Sequence, residues 1–308
     1  PFSRIADGTA GIGGDALALF SRNQGLAVEK DPLTATILEY NLRQHGLVDR
    51  VDVVTDSVES ADLSSVQALY LDPARQDNQG RRTAQMELWE PNLYQLIPRI
   101  CSRLSSLGIK ISPATTRDQI DALGVEYEHE MIAWHTSLKQ SMVWTGDLRS
   151  EALRRATILP QGWTLTDLDP AEHIAVTPVR QYIVEPNTAV IRAGLIDEFA
   201  TRYGLTKIDP HIGYLTSLNI PELELPSIGK VYRVLDCMKY NLKDLRKRLK
   251  AFHISAVDIR RRGFPHAPET IRRKLKLAEG GSHTLLLTRI GPSLYAIITE
   301  RETVREST

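Results

Sequence analysis

Two short stretches of this chain hold residues whose types and spacing could do chemistry. The first, "RIADGTAGIGGDALALF" at residues 4–20, is a strand-like run that enters a glycine-rich turn and then an apolar helical pattern. Gly11, Gly13 and Ala16 satisfy G-x-G-x-x-G/A, and Glu29 stands where an acid meets a ribose in dinucleotide sites. The second, "LYLDPARQ" at residues 69–76, ends an apolar run on Asp72. In open α/β sheets, reactive residues gather beyond the carboxyl ends of the strands. Pro73 stops further strand pairing and sets the turn, so the Asp72 carboxylate and nearby carbonyls are placed to hold an acceptor group.

Asp7 decides between the ligands that such a glycine turn can cradle. A pyrophosphate seeks backbone N–H groups and a helix N-terminus there. A carboxylate about 5 Å from a phosphate costs roughly 3 kcal/mol at an effective dielectric of about 20. S-adenosylmethionine (SAM) has no phosphate and carries a cationic amino group and a sulfonium, which Asp7 favours. Gly11 and Gly13 let the backbone approach the ligand. Glu29 accepts from ribose hydroxyls, and Asp56 in "VVTDSV" accepts from an adenine amino group. The plainer alternative makes Asp7 and Glu29 mere caps of neighbouring helices.

These residues need a scaffold, and the pattern supplies one. Strands are expected at residues 4–6, 26–29, 51–54, 68–72 and 108–111, with helices at 15–21, 32–45 and 90–107 between them. Such alternation predicts a Rossmann-like, mostly parallel seven-stranded sheet, closed at one edge by an antiparallel hairpin at 126–133 and 141–145. The first strand begins almost at once, so a further N-terminal region is expected ahead of it. Breaks near residues 160 and 225 divide the chain into a Rossmann-like domain (1–160), a middle domain (161–225) and a basic α/β domain (226–308). Asn187 caps a helix expected from 188 to about 203.

The formal net charge of zero conceals a polarity. Residues 229–280 hold 15 Lys and Arg against 5 Asp and Glu, leaving 23 against 33 elsewhere. Lys243, Arg246, Lys247 and Lys250 recur at helical spacing, and Arg260, Arg261, Arg262 and Arg272, Arg273, Lys274 add two clusters. Such density reads as a phosphate-contacting face for RNA, in preference to a merely solvated helix surface. Tyr232, Tyr240 and Phe264 are candidates either for base stacking or for the core. Scattered histidines predict no metal site, and two distant cysteines with no apolar span long enough for a membrane predict a cytoplasmic protein.

Taken together, residues 7–14, Glu29 and the D-P-A-R of residues 72–75 resemble a class I SAM-dependent methyltransferase. With "DPARQDNQGRR", "WEPNL" and "IKISPATT", the chain resembles a bacterial methyltransferase family with a ferredoxin-like middle domain and a THUMP-like C-terminal domain. The D-P-A-R is followed there by a G-R pair, here Gly80-Arg81, and by K-x-S-P, here Lys110 to Pro113. "VEPNTAVIRAGLIDEFATRYGL" resembles the middle domain, and "NLKDLRKRLKAFHISAVDIRRRGF" the THUMP-like end. The resemblance implies SAM on Asp7, Gly8, Thr9, Gly11, Gly13, Glu29 and Asp56. Asp72, Pro73, Arg75, Lys110 and Ser112 would then face the acceptor. Two departures narrow the chemistry. Ala74 and Arg75 replace the proline and aromatic that stack a flipped base in amino-directed enzymes. Ile111 stands where RNA uracil-C5 enzymes carry a nucleophilic cysteine, which argues against a covalent intermediate. Cys101, inside "LIPRICSRL", reads as a core residue.

The expected function is SAM-dependent methylation of a base in structured RNA, tRNA or rRNA. Two other readings stand beside it: methylation of a small molecule or protein, and RNA binding by a methyltransferase fold that no longer turns over.

Overall fold

The computed structural model describes residues 2–75, 81, 83 and 85–302. The chain divides into two compact units, Pro1–Ile132 with Lys139–Arg155, and Ala133–Leu138 with Ala156–Thr308.

The first unit alternates strand and helix. Strands β1 (Arg4–Asp7), β2 (Gln24–Val28), β3 (Val51–Val54), β4 (Ala68–Leu71) and β5 (Leu107–Ile111) enclose helices α1 (Gly14–Phe20), α2 (Pro32–Gln44) and α3 (Leu93–Cys101). Helix α4 (Arg117–Asp121) precedes the hairpin of β6 (Glu128–Trp134) and β7 (Ser137–Trp144). The order β3-β2-β1-β4-β5-β7-β6 fills the first seven places of a nine-stranded sheet, two strands more than the seven expected; pairing is parallel from β3 through β5 and antiparallel where β5 meets β7. This is the Rossmann-like sheet with an antiparallel edge that the pattern predicts.

Local chemistry starts and stops its helices. The Asp31 side chain accepts from Thr34 N–H, and Pro32 sits at the first helical position of α2. Asn92 caps α3 through Gln95 N–H. That helix starts later than the apolar pattern indicates, because Ala74 and Glu90 exchange backbone hydrogen bonds of 2.8 and 3.1 Å. The backbone at Glu90 thus serves the loop after β4. Strands pack Leu69, Leu71, Leu107, Ile109 and Ile111 against Trp89, Leu93, Leu96 and Ile97, giving a dry core on one face.

Strands β8 (Arg154–Leu159) and β9 (Trp163–Thr166) lead into the second unit. Its main elements are β10 (Tyr182–Pro186), α5 (Thr188–Ala193), α6 (Ile196–Arg202), β11 (Thr206–Lys207), β12 (Leu215–Ser217), β13 (Gly229–Lys239), α7 (Leu242–Ala251), β14 (Asp258–Arg262), α8 (Pro268–Leu275), β15 (His283–Ile290) and β16 (Ser293–Arg301). The single helix expected at 188–203 is two, because Gly194 adopts φ 71 and ends α5 in the left-handed conformation. Asn187 caps α5 by accepting from Ala189 N–H at 2.9 Å.

One seven-stranded sheet in the order β11-β12-β10-β13-β16-β15-β14 takes strands from both the 161–225 and the 226–308 segments. It curls back on itself. Arg262 on β14 reaches Glu185 on β10 at 2.9 Å, although three strands separate β10 from β14 in that order. Ile183, Ile212, Tyr214, Tyr232, Leu286 and Ile297 fill the concave side. Leu245, Leu249, Ile271 and Leu275 fasten α7 and α8 to the other face. Tyr232 and Phe264 are 1% and 3% exposed, so they are core residues and not stacking platforms. Tyr240 packs edge-on against Phe264 at 4.9 Å between ring centroids.

Candidate active site and basic face

The first unit's reactive groups collect where β1, β2, β4 and β5 end. Gly13 closes the glycine turn. It sits at φ 101, a backbone that suits glycine, and its carbonyl accepts the Leu17 N–H that opens α1. Gly8 N–H donates to the Tyr70 carbonyl at 2.9 Å, tying the turn to β4. Thr9 joins both motifs. Its N–H donates to Asp7 Oδ1 at 3.2 Å, and its hydroxyl accepts the Asp72 N–H at 2.7 Å.

A cleft of about 350 Å³ opens above these ends. Gly8, Thr9 and Gly11 form one wall, Glu29 and Lys30 a second, and Asp56 with Ser57 a third. Asp72, Ala74, Glu90 and Pro91 complete it, with Lys30 and Glu90 paired at the rim. Glu29 accepts Gly11 N–H on one oxygen and Asp31 N–H on the other, both at 2.9 Å. Each carboxylate oxygen has a second lone pair, so Glu29 can still accept from ligand hydroxyls. Asp56 is exposed and accepts Ser57 N–H at 2.7 Å.

Asp7 is the unusual member. It is 1% exposed, and its Oδ2 has no hydrogen-bond partner among the described residues. Burial pushes its carboxyl up to about 7; the Thr9 N–H works against the rise, and the charges of Asp15, Asp72 and Glu29 add to it. A buried acid with a free oxygen in acidic surroundings calls for a cation. The donor set therefore fits a ligand such as SAM: Asp7 has an oxygen free for a cation, and Glu29 and Asp56 can accept from hydroxyl and amino groups. It does not fit a pyrophosphate.

Asp72 and Lys110 meet at the far side of the turn. Leu71 pairs with Ile109 in the β4–β5 register, so the next residues, Asp72 and Lys110, fall side by side. Lys110 Nζ lies 2.7 Å from Asp72 Oδ2 and 3.2 Å from Asp15 Oδ2. The Tyr70 hydroxyl donates to the same Asp15 oxygen at 2.9 Å. Burial works against the Lys110 ammonium, but Asp72 and Asp15 outweigh it and hold the group above the ordinary lysine range. Burial and Asp15 push the Tyr70 phenol far up, so it stays a proton donor. Asp15 and Tyr70 escaped the sequence reading. Tyr70 was legible, lying two residues before Asp72 and so on the same strand face, but no local pattern points to Asp15.

The other nominated residues take quieter places. Pro73 is buried in the turn, and Arg75 gives its carbonyl to Thr83 N–H at 3.1 Å. Ser112 holds its own loop, its hydroxyl accepting Ala114 N–H and its carbonyl accepting Thr115 N–H. Gly80 lies outside the described residues.

In the second unit, Lys243, Arg246, Lys247 and Lys250 are exposed on α7, and Arg273 and Lys274 on α8. The two helices join through Arg246, whose guanidinium donates to the Lys274 carbonyl at 2.5 Å. Arg272 is mostly covered and lies 3.7 Å from Glu279. Arg261 donates to the Phe264 carbonyl at 3.0 Å. Arg260 and Arg262 turn to Glu185, so the residues nominated on β14 have partners within the fold.

The THUMP domain-like family matches residues 229–301. Two curated relatives, from Mycobacterium tuberculosis strains CDC 1551 and H37Rv, are each described as an uncharacterized S-adenosylmethionine-dependent methyltransferase. Each is 29% identical over 300 residues, 96% of this chain and 80% of the relative. Among solved structures, a candidate methyltransferase of Porphyromonas gingivalis W83 shares the fold. Its TM-score is 0.80 at 24% identity, over 98% of this chain and 77% of that one. In fold and in its relatives, the chain is similar to SAM-dependent methyltransferases of the Rossmann-like class, and it carries a THUMP-like region at residues 229–301.

Proposed function

We propose that the enzyme methylates a base in structured RNA, tRNA or rRNA, in the cytoplasm and without a covalent cysteine intermediate. The observation that carries the RNA reading is the row of exposed cations on two adjoining helices, Lys243, Lys247 and Lys250 on α7 with Arg273 and Lys274 on α8. Side chains so arranged neutralise successive phosphates and release counterions, which gives sequence-independent affinity. In this reading residues 1–160 carry the transfer, 161–225 form a ferredoxin-like segment, and 226–308 hold the RNA.

When bound, SAM supplies an electrophilic methyl group. The chain's own residues do the positioning, which carries much of the catalysis in a displacement of this kind. Asp7 would hold the cofactor's cationic end, Glu29 its ribose and Asp56 its adenine. Asp72, held by Lys110 and by Thr9, accepts a hydrogen bond from the acceptor and aims its lone pair at the methyl. Lys110 holds Asp72 in place, and Asp15 with Tyr70 fixes Lys110. The described residues place no cysteine at the cleft; Cys101 ends α3 and packs against the core.

The direct test is transfer of labelled methyl from SAM to unmodified total RNA, with Asp72→Ala as control. Label that enters RNA and vanishes in the variant supports the proposal, and digestion to nucleosides then names the base. Label that enters only protein or small molecules, or no label although SAM binds, overturns it.

A further inference from the structure

The second unit carries a charge cluster of its own around Glu185. Lys230 stands opposite Glu185 in the β10–β13 register. Arg262 takes up most of that carboxylate: its Nε and Nη2 donate to Oε1 at 3.3 and 2.9 Å, and its guanidinium lies 5.4 Å from the Tyr214 ring centre. The Tyr232 hydroxyl donates to Oε2 at 3.2 Å. Arg260 keeps only a long 3.5 Å contact, with 40% of its side chain exposed. Lys230 makes no ion pair among the described residues. Burial, then Arg260, Arg301 and Arg262, hold its ammonium below the usual lysine range, with Glu185 opposing. Lys230, Arg260 and Arg262 thus share one carboxylate, an arrangement whose repulsion a bound anion would relieve.

There is room for one. A cavity of about 90 Å³ is bounded by Lys230, Arg260 and Glu185, with Thr136, Thr188 and Ser227 adding hydroxyls. Ser227 is 7% exposed and its Oγ has no hydrogen-bond partner among the described residues. An ammonium, a guanidinium fork and hydroxyl donors around a small space match a tetrahedral oxyanion. Glu185 opposes an anion, but Arg262 takes its Oε1 and Tyr232 donates to its Oε2, so Arg260 keeps only its long contact and Lys230 has no ion pair among the described residues.

We propose that this cavity is a phosphate site with Lys230 and Arg260 as its ligands. The phosphate group comes either from RNA, as an internal phosphodiester or a terminal monoester, or from the free ion. None of its lining residues belongs to α7 or α8, and it needs no RNA to be tested.

The experiment measures equilibrium binding of inorganic phosphate to the full chain at constant ionic strength. It is repeated for Lys230→Gln, Arg260→Gln, Lys230→Arg and, as control, Arg22→Gln. Saturable binding is expected in the parent, about tenfold weaker in the two glutamine variants and retained in Lys230→Arg and Arg22→Gln. Circular dichroism confirms that each variant is folded. One oligoribonucleotide, with a 5′-phosphate or a 5′-hydroxyl, then identifies the source. Equal weakening of both by Lys230→Gln identifies an internal phosphodiester. Weakening confined to the phosphorylated form identifies a terminal monoester, and loss of inorganic phosphate alone identifies the free ion. The proposal is overturned if the parent does not bind phosphate saturably, or if folded Lys230→Gln and Arg260→Gln bind it like the parent.

Discussion

At the scale of single residues, Asp7 is expected to couple cofactor binding to pH. Without ligand its carboxyl is raised to about 7, so between the ordinary value near 4 and that point the folded protein binds a proton that the unfolded chain releases. Stability contributed by this group therefore falls as pH rises through that window. A cationic ligand needs the ionised form, so SAM affinity moves the other way. Calorimetric titration is expected to show binding that weakens toward about tenfold per unit below pH 7 and is level above it. In Asp7→Asn this pH dependence disappears and affinity drops at least tenfold, while the ligand-free protein at pH 8 gains on the order of 2 kcal/mol in denaturant unfolding. If Asp7→Asn binds SAM like the parent, Asp7 is only a structural acid. Lys110→Met tests the neighbouring contact: it frees Asp72 from its 2.7 Å partner and should lower the transfer rate about 100-fold with SAM affinity nearly unchanged.

At the scale of elements, the site is two loops held by one side chain. Thr9 ties the glycine turn to the Asp72 loop through the Asp72 N–H, and the Ala74–Glu90 bridge fixes the other end of that loop. Thr9→Val removes the acceptor and leaves that N–H without its partner, an expected loss of roughly 1–3 kcal/mol. Activity should suffer more than SAM binding, because Asp72 is displaced and Asp7 is not. Gly13→Ala forces a side chain into φ 101, with its Cβ 2.9 Å from Leu38 Cδ1. Thermal unfolding should show a loss of about 2 kcal/mol.

For the whole molecule, charge is sorted by location. Acids crowd the cleft of the first unit, where a cation belongs, and bases line α7 and α8 in the second. Reversing Lys243, Lys247 and Lys250 to Glu is expected to weaken RNA binding at least 100-fold at low salt and to flatten its salt dependence. Filter binding over a salt series reads both, and an unchanged slope would rule these residues out as phosphate contacts. Glu185 does a different task, joining the two ends of the curled sheet through Arg262 and Arg260. Glu185→Gln leaves those cations and Lys230 without a counter-charge, an expected cost of roughly 3 kcal/mol in urea unfolding.

The sequence by itself determined the Rossmann-like order of strands, the glycine turn, and the acids at the strand ends. Those features are local: strand periodicity, turn residues and helix caps act within a few positions, and each is written in consecutive letters. It also located the positive charge, since composition is independent of folding. Only the tertiary structure decided what partners these residues have. Asp15 joins Asp72 through Lys110 across 95 positions of chain, a distance over which no periodicity carries information. The same holds for Arg260 and Arg262, which read as phosphate contacts in sequence. Curling of the sheet, whose concave side buries Ile183, Tyr214, Tyr232 and Leu286, brings them more than seventy positions back to Glu185. Burial likewise assigned Tyr232 and Phe264 to the core, since an aromatic ring serves a base or a core equally well until its neighbours are known.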